Sequence, residues 1–457
     1  MLINLVSLLL LSVATAVTCK KLPSKLSVFR ITAKKKLLFC DNLLHLLSNF
    51  AGLMAGLYIH IPFCKSRCIY CAFYSSTLSK LQDSYTEAMC SEMLMRPSAE
   101  PIRSIYLGGG TPSVLSADNL NRLFIYINKV YFPGSSAAND PWAGMRDCEI
   151  TMECNPDDIS DEFCLMLRQL PVNRISMGIQ TFDNERLRFL RRRHTAEGAE
   201  AAMKRLRKAG ITNISIDLMF GFPGQTLSQW DDDIDKALAM KPEHISAYSL
   251  TYEEGTPLYD LVYNRRSTGM SSGGRPTSRN STADDAVVLQ PISDELSLSM
   301  YELLIDRLTA ACYEHYEISN FAKGVRKYRS LHNSSYWQAI PYIGIGAAAH
   351  SYDVSTRSWN VADLQVYIDK IKCSELPSES EVISPTTAYN DMITTALRTC
   401  EGIKISNITP SLRAFFTETS ATLAAQGLVE VADGHVRLAR KGLFLSDSVM
   451  RELIYVD

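Results

Sequence analysis

Cys64, Cys68 and Cys71 are spaced by three and then two intervening residues, in Cys64-Lys65-Ser66-Arg67-Cys68-Ile69-Tyr70-Cys71, directly after the apolar residues 57–63. Thiolates are the usual ligands of iron–sulfur clusters. Three of them on one short loop can hold three irons of a [4Fe-4S] cube and leave the fourth iron open to a small molecule. Zinc is the alternative reading, but it closes its shell with a fourth Cys or His at knuckle spacing, and none follows Cys71 closely. Further along, Gly108-Gly109-Gly110-Thr111-Pro112 lets the backbone approach a ligand and offers it N–H and C=O groups, though a tight turn would also explain the glycines. Glu153, in Glu153-Cys154-Asn155-Pro156, could accept hydrogen bonds from an ammonium or a ribose, and Gln180, in Gly178-Ile179-Gln180-Thr181-Phe182, could donate and accept. Arg192 suits a carboxylate or a solvated basic helix end. Asp217 is an acid inside an apolar strand and needs a ligand or a structural ion pair as partner.

These residues need a frame that gathers them. From residue 57 onward, short apolar runs alternate with helical patterns, as in a parallel sheet with crossover helices. We expect strands at 57–61, 104–107, 149–154, 174–179, 214–220 and 245–250, six in all, which make a partial (β/α)6 barrel. The chemistry-bearing residues then fall at the carboxyl ends of strands, where such barrels bind ligands. Thr195 caps an expected helix over 195–209 that Gly210 stops, and another helix is expected over 294–312. Residues 131–147 and the low-complexity run 265–285 read as insertions. In the tail, Asp433-Gly434 between alternating apolar residues predicts a hairpin, giving a helical, winged-helix-like module. The boundaries expected are 1–55, a presequence; 56–262, the barrel; 263–293, the insertion; 294–380, a linking region associated with the ligand; and 381–457, the C-terminal module.

Composition narrows the partners. The chain has 457 residues, 46% of them hydrophobic, and a net charge of −2, enough to bury a large core and a smaller one and short of a strongly basic surface. With no dense basic recognition helix in the winged tail, nucleic acid is not an expected partner. The thiolate trio implies a reducing compartment. Residues 6–17 are apolar with small residues at Ala14 and Ala16, and Lys20, Lys21, Lys25, Arg30 and Lys34 to Lys36 precede the first acid, Asp41. A signal followed by a basic, acid-poor segment suits import into a plastid; a mitochondrial presequence and a cytoplasmic protein with a misplaced start are the alternatives.

The order of these motifs, together with Tyr58-Ile59-His60-Ile61-Pro62-Phe63-Cys64 and residues 217–226 and 246–257, resembles the HemN/HemW group of radical S-adenosylmethionine (SAM) proteins. The resemblance implies a radical SAM barrel in which Cys64, Cys68 and Cys71 hold a [4Fe-4S] cluster and SAM meets Tyr58, Gly109, Gly110, Thr111, Glu153, Gln180, Arg192, Asp217 and Thr251. In the oxygen-independent coproporphyrinogen III dehydrogenases of the group, a fourth cysteine follows the third after one residue; Phe73 stands at that position here, as in the HemW branch. His332-Asn333-Ser334-Ser335-Tyr336-Trp337 matches the HNxxYW pattern of that branch. Membership there implies a heme chaperone that delivers heme to apo-hemoproteins, a membrane-associated recipient among them, with a cluster that promotes homodimerisation. His332 is then a candidate axial ligand flanked by Tyr336 and Trp337, with a packed, hydrogen-bonded histidine as the alternative and with His350, His60 and Cys154 as further candidates. The rival expectation is a radical SAM enzyme that oxidatively decarboxylates coproporphyrinogen III, so enzyme and chaperone both stand open at this point.

Overall fold

The computed structural model describes residues 55–134, 140–263 and 289–456. Six strands rich in β-branched and aliphatic residues form its frame: β1 (Ala55–Ile61), β2 (Ile102–Gly109), β3 (Glu149–Cys154), β4 (Arg174–Gln180), β5 (Asn213–Phe220) and β6 (His244–Ser249). They pair in sequence order and in parallel, with amphipathic helices on the outer face burying the apolar side chains of the strands. Leu57, Ile59, Ile105, Ile150, Ile175, Ile214 and Ile216 are fully buried, the pattern expected where both faces of a parallel sheet are covered. All six expected strands are present, each within about two residues of its expected limits. The helix Ala196–Lys208 starts where Thr195 Oγ1 accepts from the Gly198 N–H at 3.1 Å, and it ends before Gly210, at φ +96°.

The barrel is open because β6 does not pair with β1. β7 (Tyr313–Glu317) and β8 (Asn320–Lys323) add antiparallel strands beyond β6. On the other side β9 (Tyr342–Ile345) pairs in parallel with β1, and β10 (His350–Tyr352), β11 (Thr356–Asn360) and β12 (Ser378–Val382) follow antiparallel. The stretch expected as a linking region therefore supplies β7 to β11 and the start of β12 to a single 12-stranded sheet. These strands are three to five residues long and mix aromatic with polar side chains, so their alternation was too short to read.

The tail has its own core, with Ile393, Phe416, Val436 and Leu453 fully buried. Its hairpin joins β14 (Val429–Ala432) to β15 (His435–Leu438), with β13 (Ile403–Lys404) on the far side of β15. Asp433 at φ +52° and Gly434 at φ +73° make the type I′ turn that the Asp-Gly pair predicts. Residues 1–54 of the expected presequence and 264–288 of the second insertion lie outside the described residues, while Ala55, assigned to the presequence, opens β1. The described part of the first insertion packs through Trp142, whose indole N–H donates to the Gln169 carbonyl at 3.0 Å.

Candidate functional site

Register brings the first set of residues together. β1 and β2 pair Ile61 with Gly109, so the loop bearing the three thiols leaves β1 beside the glycine run. The Gly110 and Thr111 N–H groups donate to the carbonyls of Ile61 and Phe63, each at 2.8 Å. Gly109 has φ +106°, and a Cβ there would enter the His60 ring; one on Gly110 would lie 2.7 Å from the Pro62 carbonyl carbon. The cysteine loop is closed at its neck by Cys64 N–H to Ser76 O at 2.9 Å and Ser76 N–H to Pro62 O at 2.6 Å. Ile69, only 2% exposed, pins the loop to Leu190 and Leu258.

Cys64, Cys68 and Cys71 are half-buried and line one cavity of about 230 Å³, together with Gly109, Gly110, Thr111, Glu153, Gln180, Arg192 and Asp217. Among the described residues, no three Cys, His, Asp or Glu side chains converge tightly enough to hold a single metal ion. Three thiols spread along one cavity wall, with backbone amides and both signs of charge beyond them, form a donor set that fits a cluster with an open iron. Burial pushes the Cys64 and Cys71 thiols up, and a bound metal would reverse that preference. Thr111 Oγ1 lies 3.5 Å from Cys64 Sγ, and the Arg192 guanidinium reaches Cys68 Sγ at 3.6 Å and Asn155 Oδ1 at 2.6 Å.

Two carboxyls face this cavity with shifted acidities. Glu153 accepts from the Tyr106 hydroxyl at 2.6 Å and the Gly109 N–H at 3.2 Å; burial outweighs both bonds and raises it to about 7. Asp217 is raised by burial to about 6, against the opposing pull of Arg174. Each keeps part of its surface open to the cavity, where an ammonium or hydroxyl donor would favour the ionised form.

A second, larger cavity of about 730 Å³ lies beside the first, with Phe73 on both walls. Its lining is aromatic: Tyr58, Tyr74, Tyr336, Trp337, Tyr342 and Tyr352, with His60, His350, Arg357 and Asp391 among them. The short helix Leu331–Trp337 sets one wall, capped by Ser330 and held by Glu149, which accepts from the N–H groups of Leu331 and His332 at 3.0 Å each. His332 itself is 1% exposed and sits behind that wall. Its Nδ1 is hydrogen-bonded to Ser104 Oγ at 2.9 Å and its Nε2 to the Tyr336 hydroxyl at 2.8 Å, while its ring stacks on Tyr106 with centroids 5.0 Å apart. Burial lowers its pKa to about 3, so the ring is neutral. This is the packed, hydrogen-bonded alternative, and only Tyr336 and Trp337 of the pattern reach the cavity.

Tyr58 lies on the aromatic cavity with its hydroxyl on His60 Nδ1 at 2.9 Å, and Thr251 is exposed and lines neither cavity. Cys154 is buried and lines the thiol cavity. Tyr70, Asn155, Ser176 and Tyr248 in the first cavity and Tyr74, Tyr342, Tyr352, Arg357 and Asp391 in the second are not among the expected site residues. Ser176 had a signal, since it occupies an inward position of β4 paired with Ser215 on β5; the second group comes from segments far apart in the chain and had none.

Residues 58–237 match the radical SAM superfamily and residues 383–445 the HemN C-terminal domain. The heme chaperone HemW of Bacillus subtilis is 33% identical over 87% of this chain and 98% of that protein. The HemW of Lactococcus lactis is 32% identical over 88% and 97%. A Danio rerio relative, called radical S-adenosyl methionine domain-containing protein 1, mitochondrial, is 27% identical over 88% of this chain and 87% of that one. Among solved structures, coproporphyrinogen III oxidase (HemN) from Escherichia coli superposes with a TM-score of 0.69 at 20% identity, covering 88% of this chain and 90% of that one.

Proposed function

The chain belongs to the HemW heme-chaperone family of the radical SAM superfamily, and on that premise we propose that it captures heme and delivers it to apo-hemoproteins. The observation that carries this reading is the near end-to-end similarity to bacterial heme chaperones, where the likeness to the oxidase is one of fold. The [4Fe-4S] cluster, held by Cys64, Cys68 and Cys71, supplies an iron open to a chelating ligand and a source of single electrons. Around it, Gly109, Gly110 and Thr111 offer backbone and hydroxyl groups to SAM, Glu153 and Asp217 accept from its donors, and Gln180 and Arg192 hold its polar end. Tyr336, Trp337, Tyr342 and Tyr352 give a porphyrin flat aromatic surface in the neighbouring cavity. The barrel of residues 56–262 holds the cofactors in this scheme, and the sheet extension and tail close the heme side. Cluster-promoted homodimerisation and a membrane-associated recipient complete the proposal. An organellar home, mitochondrial or plastid, is supported by the Danio rerio relative and by the basic residues 20–36, with the cytoplasm as the alternative that cell fractionation tests.

One anaerobic comparison tests the function. The cluster is reconstituted, SAM and reductant are added, and either coproporphyrinogen III or heme is supplied. The expected result is stoichiometric heme capture and transfer without protoporphyrinogen IX. Product formed over multiple turnovers would overturn the chaperone reading in favour of the coproporphyrinogen III dehydrogenase.

A further inference from the structure

Heme offers a recipient site three things to hold: a flat apolar macrocycle, an iron with an open axial position, and two carboxylates at one edge. The aromatic cavity supplies the first with its tyrosines and tryptophan. For the second, three histidines stand in or just behind its wall. His332 has both ring nitrogens bonded, to Ser104 and Tyr336, and lies behind Tyr336. His60 is likewise taken up. Its Nε2 meets the Tyr74 carbonyl at 3.2 Å, which can only accept, so Nε2 carries the proton and Nδ1 accepts from the Tyr58 hydroxyl. Neither can bind iron without giving up a buried hydrogen bond.

His350 differs from both. It is exposed to the cavity, and neither of its ring nitrogens has a hydrogen-bond partner among the described residues. Its position follows from strand geometry. Side chains alternate along a strand, so His350 and Tyr352 of β10 share a face, and pairing with β11 sets Trp359 and Arg357 opposite them on that face. Ser351, between them, points the other way and accepts from Arg96 at 2.7 Å. The His350 ring lies beside the Trp359 ring, centroids 6.1 Å apart, and His350 also borders an adjoining cavity of about 450 Å³. The β9–β10 turn that presents it depends on Gly344, where a Cβ would collide with the His350 carbonyl. Partial burial and the Arg357 guanidinium hold the imidazole below the usual histidine range, which keeps it neutral and its lone pair free. Tyr342 and Tyr352, the other candidate donors, would have to ionise, and burial pushes both phenols up.

We propose that His350 is the axial ligand of heme in the aromatic cavity, and that His332, within the HNxxYW pattern, is a positioning residue that holds Tyr336 in the cavity wall. The assignment rests on the heme-chaperone reading. Arg357, which pairs with Asp391 at 2.5 Å and with Glu381 at 3.6 Å, is the cation on the cavity wall among the described residues, and a heme carboxylate would replace one of these partners.

The test is hemin titration of the full-length, cluster-reconstituted protein, followed by the Soret band and by electron paramagnetic resonance of the ferric heme. In His350→Ala the expected result is a shifted Soret maximum, a changed heme spin state and an affinity lowered by about tenfold or more, with added imidazole restoring the native spectrum. Because the ring makes no hydrogen bond to the described residues, circular dichroism and iron content should match the native protein. A His350→Ala protein with native Soret band, spin state and affinity overturns the assignment and leaves the chaperone reading standing. Failure of the native protein to bind hemin overturns both.

Discussion

The two cavities meet at Phe73 and are built by opposite means. The smaller is made where parallel strands end: a glycine run at the end of β2, thiols of one short loop, and polar side chains of β3 to β6, namely Glu153, Ser176, Gln180, Asp217 and Tyr248. The larger is lined by residues of separate elements, many of them aromatic, from β1, the cysteine loop, the helix Leu331–Trp337 and the turn after it, the β9 to β11 hairpins and the helix Pro385–Ala396 of the tail. A site fixed by backbone and register holds an invariant cofactor in one pose. One walled by aromatic rings from separate elements can accept a flat cargo and let it go. Between them runs a packed line: Glu153 accepts from Tyr106, Tyr106 stacks on His332, and His332 bonds to Tyr336.

The sharpest way to break the comparison is to empty the first cavity. Cys68→Ala should reduce iron and acid-labile sulfide to background, since two thiolates on this loop are too few for the cluster. Hemin affinity should stay within about threefold of native, because the thiols line only the smaller cavity and none of them reaches the aromatic one. Parallel loss of both would mean that the cavities are one site.

A change in the packed line comes next in size. His332→Ala strands Ser104 Oγ and the Tyr336 hydroxyl and opens a void beneath a sheet, so we expect a loss of about 3 kcal/mol in urea unfolding. Buried neutral histidines also fix the sign of the acid response. His332 is lowered to about 3 and His60 to about 4, so the unfolded chain binds more protons than the folded one between those values and about 6.5. The stability they contribute is complete above about 6.5 and is lost as pH falls through that window. His332→Gln should flatten part of that fall; an unchanged slope would contradict the burial of the ring.

The contrast also explains what the sequence made legible. Strand ends with Gly-Gly-Gly-Thr-Pro or Glu-Cys-Asn-Pro carry their role in local pattern, because the backbone that positions them is regular. That is why seven of the nine expected SAM contacts line the thiol cavity, with Tyr58 and Thr251 outside it. Tyr342, Tyr352, Arg357 and Asp391 meet only through sheet pairing and the docking of a tail helix, which no window along the chain records. His332 illustrates the opposite trap. A histidine beside aromatic residues leaves the ligand and the packed, hydrogen-bonded readings both open from its type, and its two hydrogen bonds become visible only when β2 and the helix are placed side by side.

Glu153 gives a gentler test of the first cavity. A carboxyl raised to about 7 is mostly protonated at pH 6 and mostly ionised at pH 8, and only the ionised form accepts from the donors of SAM on both oxygens. SAM affinity, read by equilibrium dialysis, should rise by about tenfold over that range. Glu153→Gln should bind more weakly and with a flat profile, while the hemin affinity of either protein should not follow this curve. A native SAM profile without an inflection near 7 would remove Glu153 from the contacts.

Phe73 is where the comparison is most finely divided, and its replacement should have the smallest effect. The ring is 71% exposed, so Phe73→Ala should change global stability by less than about 0.5 kcal/mol. It nevertheless forms wall in both cavities. Against a porphyrin, the lost aromatic contact is worth about 1 kcal/mol, or roughly fivefold in hemin affinity, whereas the polar contacts proposed for SAM do not use the ring and its affinity should hold. Phe73→Cys restores a thiol where the related dehydrogenases carry one, yet it changes neither the aromatic wall opposite nor the line through Tyr106 and His332. That variant should therefore form no protoporphyrinogen IX from coproporphyrinogen III, and turnover in it would show that one residue at the shared wall, rather than the architecture of the second cavity, separates heme handling from porphyrinogen oxidation.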